Sequence, residues 1–91
     1  AEAARDWGLI NEVVPADDLD SRVQGLAETL ARGPTRAFGQ SKRLIDEAEH
    51  VTLAEQLEKE RAAFLAGTGT ADFAEGTAAF TAKRTPVFTG R

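Results

Sequence analysis

Between residues 19 and 30 the apolar side chains Leu19, Val23, Leu26 and Leu30 recur at spacings of four, three and four, one stripe at helical period. Asp17 and Asp18 stand just ahead of it, where acidic groups favour a helix N-terminus. Gly33 closes the segment, and Pro34 suits the first turn of the next helix, where a missing N–H is not needed. In that helix Phe38, Ser41, Ile45 and Ala48, flanked by Ala37 and Leu44, form the face expected to be buried. Gly39 costs it about 1 kcal/mol of helix propensity and marks an expected close approach by a neighbouring element. Thr52-Leu53-Ala54-Glu55 reads as a capping box that opens a third helix. Leu53, Leu57 and Phe64, with Leu65 beside them, give its apolar face; Glu55, Glu58, Lys59, Glu60 and Arg61 are expected to be solvated. Gly67-Thr68-Gly69-Thr70 breaks the helix. Thr70 or Asp72 then caps a last one, on which Phe73, Thr77 and Phe80 align. Lys83 and Arg84 suit the negative end of its dipole, and Pro86 forbids continuation.

Ahead of these, Ala1 to Trp7 reads as a helix stub that Gly8 stops by accepting left-handed dihedrals. An uncapped helix at the start of the chain is expected to continue something longer. Leu9 to Val14 is short, apolar and β-branched, an extended piece or brief strand closed by Pro15. No strand run is long enough for a sheet. The expectation is an all-α fold: four amphipathic helices plus an N-terminal stub, one domain over 1–91, with helices across 16–84 and an extended tail over 85–91.

Composition narrows the possible functions. A 91-residue chain holds one domain at most. Eleven Lys and Arg against 15 Asp and Glu leave a formal charge of −4, which argues against nucleic acid as a partner. There is no cysteine, which excludes disulfides, thiolate metal sites and a cysteine nucleophile. A single histidine, His50, has no partners at ligand spacing, so no metal is expected. No apolar run approaches the roughly 20 residues that span a bilayer. The opening AEAARDWG has no signal-peptide pattern. These features fit a cytoplasmic protein without a membrane partner.

Candidate chemistry is sparse. Gly67-Thr68-Gly69 follows a helix rather than a strand, which disfavours a phosphate loop. Ser21 and Ser41 have no motif-placed base. Glu55, Glu58 and Glu60 read as a solvated helix face before an acid/base pair, and His50 as a turn residue before a catalytic base. Phe80 and Lys83 are three apart and, on one helix, share a face. An aromatic ring beside an ammonium can stack on a base and pair with a phosphate. On spacing alone, a core phenylalanine and a helix-end cation is the favoured account.

Three blocks resemble the enoyl-CoA hydratase/isomerase (crotonase) superfamily. Ala1 to Pro15 resembles the passage by which members leave their core domain. Gly33 to Asp46, GPTRAFGQSKRLID, resembles the family's lysine-bearing helix, with Lys42 at the lysine. Asp72 to Gly90 resembles its terminal motif, D..EG..AF..KR.P.F.G. Within the family, Thr52-Leu53, Gln56-Leu57, Glu60-Arg61 and Ala82-Lys83-Arg84 are most similar to the ring-epoxide isomerase branch of aerobic phenylacetate breakdown.

The resemblance implies a fold of ββα spiral turns followed by a helical C-terminal region, of which this chain is the latter; 1–15 is then the junction with the spiral core. It implies catalysis by two oxyanion-hole amides and by acid/base carboxylates that all lie in the spiral, so no catalytic residue transfers here. Phe80 and Lys83 match positions that approach the adenine and 3′-phosphate of coenzyme A, the carrier of a substrate rather than a cofactor. The expected partners are an acyl-CoA and further copies of the chain, as a trimer or hexamer of the intact enzyme and by self-association of this region alone. The competing reading is a free-standing helical module for oligomerisation or partner binding, without chemistry.

Overall fold

A computed structural model describes residues 1–91. It is all helical: α1 (Glu2–Asp6), α2 (Leu19–Ala31) behind a 3₁₀ turn at Ala16–Asp18, α3 (Thr35–Ala48), α4 (Leu53–Thr68) and α5 (Ala71–Thr81). The expected all-α architecture of four helices plus a stub is thus found. Leu9 to Pro15 forms bends and irregular chain, not a strand.

Local signals act where they were read. Gly8 adopts φ +75° after α1; its N–H donates to the Arg5 carbonyl, and that of Leu9 to Ala4, both at 2.9 Å. The capping box at α4 is closed both ways. The Thr52 hydroxyl accepts from the Glu55 amide at 3.3 Å, and the Glu55 carboxylate accepts from the Thr52 amide at 2.8 Å. Pro34 stands one residue before α3, as its cap, rather than inside the first turn. Gly67 does not break α4, which runs on to Thr68. Gly39 meets no close neighbour: nothing lies within 4 Å of where its Cβ would be. It is Gly33 that admits another group, since a Cβ there would collide with the Phe38 ring.

The helices pack with the opposite polarity to the one expected. On α3 the half-buried side chains are Gln40, Leu44 and Glu47, while Ile45 points outward. On α4 they are Gln56, Lys59, Ala63 and Gly67. The seam between the two is polar. Lys59 Nζ bonds Glu47 at 2.6 Å, and Gln56 Nε2 donates to the Leu44 carbonyl at 3.3 Å. Lys59 is therefore not on a solvated face. Leu53 is 75% exposed, and Leu57, Phe64 and Leu65 lie on the same open side. The α2 stripe is uncovered too, and α2 is tied to the preceding segment by Arg22 and Glu12 at 2.8 Å. Periodicity shows which positions are apolar but not what they meet, and 91 residues do not supply enough partner surface for all four stripes.

The result is open. The Cα radius of gyration is 17.1 Å, against about 12 Å for a compact chain of this length. Only two residues are buried, Ala79 and Asp72, and both are on α5. Phe64 and Phe73 join α4 to α5 edge to face, with centroids 6.1 Å apart.

Candidate functional site

The most heavily cross-bonded part of the molecule is α5 with the turn and tail that follow it. Thr70 caps the helix, its hydroxyl accepting from the Phe73 amide at 3.1 Å. Asp72 does not cap. It lies 6% exposed within the first turn and accepts from the tail: Oδ1 takes the Thr89 amide at 2.7 Å and Oδ2 the Gly90 amide at 2.9 Å. The Asp72 amide in turn donates to the Arg91 carbonyl at 3.0 Å. Glu75 accepts both guanidinium nitrogens of Arg84, at 2.6 and 2.8 Å, and the Val87 amide at 2.8 Å. These bonds, led by the one to Arg84, hold its carboxyl at a pKa of about 2. Gly76 leaves room for the Phe88 ring, 3.6 Å from where its Cβ would be. Ala79 is 1% exposed beneath the turn. The acidic, glycine and phenylalanine positions of the terminal motif thus have a shared structural cause: they fasten the tail back along α5.

The turn itself corrects the helix boundary. α5 ends at Thr81, not at residue 84, and Lys83 is not helical. It has φ +52°, the one non-glycine residue in the left-handed region. The Lys83 amide donates to the Phe80 carbonyl at 3.2 Å and the Arg84 amide to Ala79 at 3.0 Å, the two bonds of a Schellman turn. The turn after α1 is built the same way on Gly8. A side chain in this conformation costs roughly 1–2 kcal/mol.

The expected pair is therefore brought together at the end of α5, but by a turn rather than by a shared helical face. Phe80 is not core: it is 87% exposed and lines a groove of about 550 Å³ with Ala37, Gln40, Phe73, Thr77 and Phe88. Lys83 makes no ion pair, whereas Arg84 has both terminal nitrogens on Glu75. Of the two neighbouring cations, Arg84 is thus already committed.

The other candidates resolve into structural duties. Glu55 closes the α4 cap, Glu58 pairs with Arg61 at 2.6 Å, and Glu60 accepts from Gln56. Ser21 donates to the Asp18 carbonyl. His50 is exposed in the turn after α3, and its amide donates to Glu47. Thr68 and Thr70 donate to the Leu65 and Gly67 carbonyls, so the glycine-rich stretch forms no phosphate loop. Sequence reasoning missed Glu75 and Asp72 as tail anchors. The only signal was their fixed place in the terminal motif.

No helix of the chain is long and apolar enough to cross a membrane. The chain matches the enoyl-CoA hydratase/isomerase family profile over residues 1–91. It is 44% identical over 91 residues to the 1,2-epoxyphenylacetyl-CoA isomerase of Escherichia coli K12, covering all of this chain and 35% of that protein. It is 35% identical to the 2,3-dehydroadipyl-CoA hydratase of the same organism, covering 36% of it. A crystal structure of enoyl-CoA hydratase subunit I from Geobacillus kaustophilus HTA426 superposes with a TM-score of 0.92 at 34% identity, over all of this chain and 35% of that one. The chain thus spans about a third of the length of the curated relatives it matches.

Proposed function

The chain belongs to the enoyl-CoA hydratase/isomerase family, and on that premise we propose that it serves as the helical C-terminal region of an acyl-CoA hydratase or isomerase. In this reading it binds the nucleotide end of coenzyme A and joins copies of the enzyme. Phe80 stacks on the adenine and the Lys83 ammonium pairs with the 3′-phosphate. The single observation that carries the reading is the end of α5. An exposed aromatic ring and an uncommitted cation stand three residues apart there, tied backbone to backbone. The open stripes of α2 and α4 support the oligomer contact. Glu55, Glu58 and Glu60, the carboxylates that could have formed an acid/base pair, are each bonded within or at the cap of α4, which supports a binding role without catalysis. The 44% identity to an epoxyphenylacetyl-CoA isomerase supports the ring-epoxide branch as the parent activity.

The test uses the full-length protein and two thioesters, an acyl-CoA and its 3′-dephospho counterpart. Contacts far from the reacting carbon act equally on ground and transition states, so they enter KM rather than kcat. Lys83→Ala is expected to raise KM several-fold for the acyl-CoA and to change it little for the dephospho form. Equal weakening of both, or a phosphate-dependent loss from Arg84→Ala with none from Lys83→Ala, makes Lys83 a helix-end cation only. The 91-residue chain by itself is expected to turn over neither crotonyl-CoA nor a 3-enoyl-CoA. Activity that follows the purified chain overturns the non-catalytic reading.

A further inference from the structure

Two turns of the same design occur in this chain, and they differ at the residue that must be left-handed. After α1 that residue is Gly8, which has no Cβ to strain. After α5 it is Lys83. A glycine would form the second turn more easily, so something must hold the lysine's backbone against its preference. The neighbouring residues supply the restraint. Arg84, next in sequence, is gripped by Glu75 through two nitrogens. The same carboxylate takes the Val87 amide, so one side chain on α5 holds the segment on the far side of the turn at two places. The Arg84 guanidinium also donates to the Thr85 carbonyl at 3.3 Å. Ala79, which receives the Arg84 amide, is the least exposed residue in the chain.

We infer that Glu75 and Arg84 are positioning residues: their two-pronged ion pair, closed over the Val87 amide, locks the turn that keeps Lys83 left-handed and so fixes the direction in which its ammonium leaves the end of α5. The inference rests on the proposed coenzyme A role of Lys83 and adds the device that aims it. It assigns Arg84 a structural duty rather than a ligand contact. It also gives a reason for an acidic residue within the same motif as a phosphate-binding lysine, where its charge would otherwise repel the ligand. Arg84 neutralises that charge in place.

The experiment compares, in the full-length protein, the KM ratio of dephospho-acyl-CoA to acyl-CoA, which reads the 3′-phosphate contact alone. The variant is the double substitution Glu75→Gln with Arg84→Gln. It removes the grip, keeps the net charge, and leaves no freed arginine to stand in for Lys83. The ratio is expected to fall at least threefold, with the loss in KM and not in kcat, and Lys83→Ala added on top is expected to lower it no further. Arg84→Lys, which keeps the charge but cannot make two parallel bonds, is expected to lower it partly. This milder variant decides the matter should the double one fail to fold. If Lys83→Ala lowers the ratio while the double variant and Arg84→Lys leave it at the wild-type value, the positioning role is wrong and the Lys83 contact stands. If Lys83→Ala itself leaves the ratio at the wild-type value, the contact fails and the positioning role falls with it.

Discussion

Asp72 and Gly90 lie 18 residues apart and are joined by a 2.9 Å hydrogen bond from the Gly90 amide to the Asp72 carboxylate. With the bond from Thr89 it pins the end of the tail to the first turn of α5. Hydrogen bonds to a charged acceptor contribute about 1.5–3 kcal/mol each at buried sites. Asp72→Ala removes both and is therefore expected to loosen the tail by about 3 kcal/mol or more. Amide exchange at Thr89 and Gly90 checks it: both should quicken by more than tenfold, with little change along α3. Unaltered protection at both amides rules out the anchor.

Glu75 sets a pH limit on the second anchor. Its carboxyl is held at about 2 by Arg84 and the Val87 amide, below the ordinary value of 4.5. A depressed folded-state pKa contributes stability that is complete above the unfolded value and lost as pH falls through the folded one. The Glu75–Arg84 clamp is thus intact above about pH 4.5, declines below it and is gone as pH falls through about 2. The carboxyl carbon shift of Glu75 followed by NMR is expected to titrate near 2. A midpoint in the usual carboxylate range contradicts the clamp.

Lys83→Gly separates strain from binding. Glycine removes the left-handed cost and loosens the unfolded chain, for a net gain of about 0.5–1 kcal/mol. The full-length protein should melt slightly higher while its KM for acyl-CoA rises. Lys83→Ala should show the second effect without the first. A Lys83→Gly variant less stable than Lys83→Ala speaks against the turn as described.

The uncovered stripes of α2 and α4 predict self-association of the isolated chain. Leu53, Leu57, Phe64 and Leu65 are exposed on one helix, and Leu19, Val23, Leu26 and Leu30 on another. Patches of this extent are seldom left in water. Sedimentation equilibrium at micromolar concentration should give a mass above 9.7 kDa. A 9.7 kDa species that melts cooperatively would show the faces to be tolerated by a monomer.

What could be read from sequence was what lies within a few residues. Thr52 and Glu55 sit in one tetrapeptide, and Gly8 follows its helix directly, so both signals were complete in themselves. The stripe of α4 was legible as a stripe, but its direction was not, because Gln56 and Lys59 meet Leu44 and Glu47 across a loop. Lys83 was placed on the helix since nothing about lysine announces a left-handed turn. Asp72 reads from sequence as an alternative to Thr70 for the cap, because its true partners are 17 and 18 positions away. Spacing and then motif single out Phe80 and Lys83, and the turn that joins their backbones is one the spacing does not suggest.

The bond from Asp72 to the Arg91 carbonyl has a practical consequence for labelling. Eleven helical residues span about 16 Å. A fluorophore attached at Arg91 therefore sits beside the first turn of α5, a helix length away from the left-handed turn at Lys83, and reports on the tail anchor without touching that turn.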